Sequence, residues 1–88
     1  MPLYTKNLTL TGGADQVSST SVVCTSIVIT APAATIDIGK SDVATVPGIT
    51  MAGAAQLTFG QSNNVFDLKE MYIKGTNTQI VKIMAIQL

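Results

Sequence analysis

The chain has 88 residues, enough for one domain with a modest core, and combines 47% hydrophobic with 11% charged residues, where an average globular chain carries about 25% charged. Five lysines balance five acids, with no arginine and no histidine; the basic footprint of a nucleic-acid binder is missing, as are the usual general base and the commonest metal ligand. So much apolar side chain with so little charge to solvate it implies that a protein partner covers part of the surface.

Taken in chain order, the signals are those of strands, because β-branched residues and period-two alternation dominate and no helical stripe is sustained. Leu3 to Leu10 reads as a first strand, with Leu8 and Leu10 on one face and Thr5, Asn7 and Thr9 on the other, and Thr11-Gly12-Gly13 supplies a turn. Asp15 to Ser19 is a short piece around Val17, and Ser18 to Ser21 reads as loop. Val22 to Ala31 is a stronger strand, with Ile27, Ile29 and Ala31 pointing one way and Val28 and Thr30 the other; Pro32 ends it by removing a ladder donor. Thr35 to Gly39 is a short strand with Ile36 and Ile38 inward and Asp37 outward.

Lys40 to Ala55, with Pro47, Gly48 and Gly53, reads as a loop whose Ile49 and Met51 tuck back onto the core. Gln56 to Phe59 gives a strand carrying Leu57 and Phe59, Gly60 to Asn64 is a turn cluster, and Val65, Phe66 and Leu68 anchor the connection. Met71 to Lys74 is the next strand, and Gly75 to Thr78 makes a hairpin loop into Gln79 to Leu88. In that last strand Ile80, Met84, Ile86 and Leu88 lie on one face and Val81, Ile83 and Ala85 on the other, so both faces are apolar. Such a strand is either central in a sandwich or half of a subunit contact. Ile80, Val81, Ile83, Met84, Ile86 and Leu88 are therefore the candidate oligomer or partner interface. The turn spacing predicts an all-β fold: a single-domain β-sandwich or jelly-roll-like barrel, residues 1–88, of about seven to eight short antiparallel strands.

Chemistry-bearing constellations are sparse. Asp37, Asp42, Asp67 and Glu70 could in principle supply a carboxylate pair, but each sits at a strand face or turn where solvated acids normally lie. Asp37 and Asp42 flank Gly39-Lys40-Ser41 without the spacing or closing glutamate of a calcium loop. Cys24, within Val22-Val23-Cys24, reads as a small buried hydrophobe. A lone cysteine permits no intramolecular disulfide, in keeping with synthesis in a reducing cytoplasm. MPLYTKNLTL lacks a cationic region followed by an apolar stretch, and no apolar run approaches ~18 residues, so neither secretion by that route nor a membrane partner is expected. The expectation is a protein that is not an enzyme and carries no metal or cofactor.

The succession NLTLTGGADQV, CTSIVITAPAA, TIDIGKSDV, GITMAGAAQLTF and DLKEMYIKGTNTQIVKIMAI resembles the small β proteins encoded among the virion structural genes of tailed bacteriophages, several of which are head decoration or cement proteins. The resemblance runs from about Thr5 to Leu88. It implies assembly on the capsid exterior, the major capsid protein as partner, and a homo-oligomer with a trimer favoured; it brings no catalytic residues. Similar modules in tail fibres, where they bind receptors or glycans, and in head-to-tail connecting parts keep those placements open.

Overall fold

A computed structural model describes residues 2–60 and 65–88, with the side chain of Phe59 outside the described set. The fold is all-β, with nine strands among the described residues: β1 (Leu3–Thr9), β2 (Ala14–Gln16), β3 (Val23–Thr30), β4 (Ile36–Gly39), β5 (Ile49–Met51), β6 (Gln56–Phe59), β7 (Phe66–Asp67), β8 (Tyr72–Lys74) and β9 (Ile80–Gln87). One antiparallel sheet has the order β1-β9-β3-β6, with β7 also on β3, and the other the order β2-β8-β4-β5. Thus β1 meets β9, β2 meets β8, β3 meets β6 and β4 meets β5. This is one long hairpin of strands rolled up on itself, the jelly-roll arrangement.

Alternation builds the core between the sheets. From the first sheet come Leu8, Ile27, Ile29, Val81, Ile83 and Ala85; from the second, Ile36, Ile38, Met51 and Ile73; from the connections, Leu10, Val17, Val22, Ala31 and Leu68. Ile73 is fully enclosed, and burial of such a side chain contributes roughly 1.5–3 kcal/mol. Cys24 and Ile27 both face inward although three residues apart, because a bulge between Cys24 and Ser26 shifts the register of β3 against β9. The short β7 pairs with β3 beside this bulge.

Several sequence expectations need correction. The segment from Gly75 to Thr78 is not a hairpin loop, since β8 and β9 lie in different sheets and the chain crosses the sandwich between them. Gly75 makes the close passage possible: a Cβ there would sit 2.7 Å from Leu10 Cδ1 and 2.9 Å from Ile36 Cγ2. The amide of Thr78 donates to the Leu10 carbonyl at 2.9 Å, and the amide of Leu10 to the Gln79 carbonyl at 2.8 Å. Residues 40–55 are not all loop, because Ile49–Met51 pairs with β4. Met51 does reach the core, but Ile49 is 44% exposed. Val43, a residue the pattern did not single out, is enclosed within the turns at 41–45. Val65 faces solvent at 59% exposure and anchors nothing inward. With β5 and the two-residue β7 the strand number rises to nine. The expected turn at Gly60 to Asn64 falls, beyond Gly60, outside the described residues.

Candidate interaction surface

The outer face of the β1-β9-β3-β6 sheet gathers most of the exposed large apolar side chains among the described residues. The register sets Leu3 beside Ile86 and Thr5 beside Met84, then Asn7 beside Lys82 and Thr9 beside Ile80. Across β9, Ser26, Val28 and Thr30 continue the rows of Ile86, Met84 and Lys82. Thr58 and Gln56 of β6 complete two of them. Leu3 is 63% exposed, Met84 50%, Ile80 46% and Ile86 40%. Leu88, also exposed, is held alongside β3 by a bond from its amide to the Val23 carbonyl. A shallow apolar depression runs between Leu3, Val28, Met84 and Ile86.

The candidate interface read from the sequence is therefore divided. Ile80, Met84, Ile86 and Leu88 are on the outer face, whereas Val81 and Ile83 point into the sandwich and are buried. Those two already fill the core, so they are withdrawn from any intermolecular contact. Strand periodicity alone separated the two sets; it could not say which was inner. Leu3 and Val28 join the face only through pairing with β9, which single-strand patterns do not contain.

Lys82 is the one charged residue in these rows. The acids lie elsewhere, and three of them clamp local structure. Asp15 accepts from the Thr11 amide at 2.9 Å and the Thr11 hydroxyl at 2.7 Å, closing the glycine turn. Asp37 accepts from the Thr50 hydroxyl at 2.7 Å, tying β4 to β5. Asp67 accepts from the Ser21 hydroxyl, from the Val22 amide at 2.9 Å and from the Lys69 amide at 3.0 Å. The Ser21 bond first, then the two amides and the Lys69 charge, hold its carboxyl below the ordinary carboxylate range against opposing desolvation. Burial, reinforced by the Asp67 charge, pushes the Cys24 thiol up.

Two further depressions lie away from this face. An apolar groove is lined by Ile38, Ile49, Phe66 and Met71, with Asp67 and Glu70 as its only charged residues among the described residues. A polar cleft shares those two acids and adds Gln16, Lys40, Lys69 and Tyr72. Among the described residues no three histidine, cysteine or acidic side chains converge as a metal site, and no buried side-chain nitrogen or oxygen lacks a hydrogen-bond partner. No helix among the described residues is long and apolar enough to cross a membrane. Against known proteins, no family model matches the chain, and no curated sequence or solved structure matches it significantly.

Proposed function

We propose that the protein is a bacteriophage capsid decoration protein, a non-enzymatic homo-oligomer that binds the outer surface of the assembled head and braces contacts between major capsid subunits. The observation that carries this reading is the outer sheet face, where Leu3, Ile80, Met84 and Ile86 stand exposed with Lys82 as the sole charge. A face with one charge and adjoining exposed Leu3, Met84 and Ile86 calls for a protein cover, and the sequence resemblance to virion β proteins supplies the setting. Burial of the face between copies builds the oligomer, a trimer being favoured, and many weak shell contacts then act together. The test is to mix labelled protein with shells of its own phage that lack it, pellet the particles and count bound copies. Hundreds of copies with raised heat resistance support the decoration role, and a handful point to a tail or vertex component.

A receptor- or glycan-binding module is the second reading, favoured by the polar cleft in which Tyr72 stands with Gln16, Asp67 and Glu70. Retention on host polysaccharide with no binding to shells selects it.

A further inference from the structure

We infer that the outer sheet face of one copy docks into the apolar groove of the next, so that copies join head to tail through two different surfaces of the same chain. This rests on the reading of the protein as a homo-oligomer and names the contact.

The two surfaces complement each other in charge and in polarity. The face offers exposed Met84, Ile86 and Leu88 with one cation, Lys82. The groove offers exposed Ile49 beside half-buried Phe66 and Met71, over the core residue Ile38, with two anions, Asp67 and Glu70. Asp67 is occupied by bonds from Ser21 and Val22, just ahead of β3, and from the amide of Lys69, which leaves Glu70 to meet a cation. Lys82 and Glu70 have no ion-pair partner among the described residues. A face-to-face pairing of two identical sheets would enclose two lysines and no acid, leaving both charges unmatched. Docking into the groove matches them, and opposite charges at an interface set partner choice and register.

The face sets the upper limit of the contact. Four strands about 4.8 Å apart and eight residues of β9 at about 3.3 Å each give a face on the order of 500 Å² in projection. That lies below the ~800 Å² per partner of standard interfaces, the range of a weak contact that gains from repetition. A contact between unlike surfaces closes into a ring when its rotation closes, and otherwise it runs on as a filament.

Sedimentation of the intact chain across micromolar concentrations, with charge-reversed variants, tests this. Lys82→Glu alone and Glu70→Lys alone should each weaken association about tenfold, as like charges meet, and the double variant should recover it. Both positions are exposed, and circular dichroism verifies that the variants fold. Met84→Asp on the face and Ile49→Asp at the groove should each abolish the oligomer. The inference is overturned if Lys82→Glu and Met84→Asp act while Glu70→Lys and Ile49→Asp do not, which would mean face-to-face pairing. It is equally overturned if the wild-type chain stays monomeric at about 100 μM, well above the Kd of specific interfaces. Pelleting the same proteins with shells separates the two claims: a monomer that binds shells leaves the decoration role standing, and an oligomer that never binds removes that role but not this contact.

Discussion

At the scale of single residues, two features set stability apart from the core. Thr78 has φ of 71° and Ala54 of 62°, a left-handed conformation that costs an ordinary residue about 1–2 kcal/mol and is a sharper departure for a β-branched side chain. The crossover between sheets imposes it on Thr78, whose amide must reach the Leu10 carbonyl. Thr78→Asn, which tolerates this conformation, should raise stability by about 0.5–1 kcal/mol, read as a higher urea midpoint at unchanged slope. Asp67 acts through pH. Because its folded-state pKa is lowered, its contribution is complete above the unfolded carboxylate value and is lost as pH falls through the folded one. The urea midpoint should therefore fall on acidification below about pH 4, and Asp67→Asn should reduce both the midpoint at neutral pH and the steepness of that fall.

At the scale of strands, β1 is the feature to explain, since it is a seven-residue strand at the sheet edge with β9 on one side only. Exposed edges invite pairing with other chains, and an inward-pointing charge is one way to prevent it. Lys6 lies on the same side of β1 as Leu8, and its Nζ donates to the Val17 carbonyl at 2.6 Å. The bond ties the edge of one sheet to the chain leaving β2 and places a charge where a neighbouring strand would have to pack. Lys6→Val should change stability by no more than about 1 kcal/mol, apolar burial offsetting the lost bond, yet speed thioflavin-positive aggregation on mild heating. Aggregation no faster than wild type would remove this role from Lys6. The strands themselves were largely legible in the sequence: Ile27 and Ile29, or Ile36 and Ile38, announce strands because side chains alternate. Their partners were not. The crossover at Gly75 looks like a hairpin because glycine, asparagine and threonine between two apolar runs serve either connection. The bulge at Cys24 to Ser26 leaves no mark in composition. The two apolar faces of β9 were visible, and that one of them stays uncovered follows only from its place between β1 and β3.

For the whole molecule, a small β-sandwich that keeps Leu3, Met84 and Ile86 together in water on one sheet face is under pressure to bury them. On the proposed function this face lies at a protein contact in the assembled particle, and Met84 at its centre reports on that directly. Thioether oxidation follows solvent access: Met84 is 50% exposed in the single chain while Met51 is 5% exposed in the core, so the second calibrates the first. Brief peroxide treatment of the protein, free at high dilution and bound to shells, followed by peptide mass spectrometry, gives the sulfoxide yield at each position. The account predicts that Met84 oxidises much faster than Met51 in the dilute chain and falls to a comparable rate on the particle. Oxidation of Met84 at the same rate in both states, with the protein shown to be bound, would contradict it.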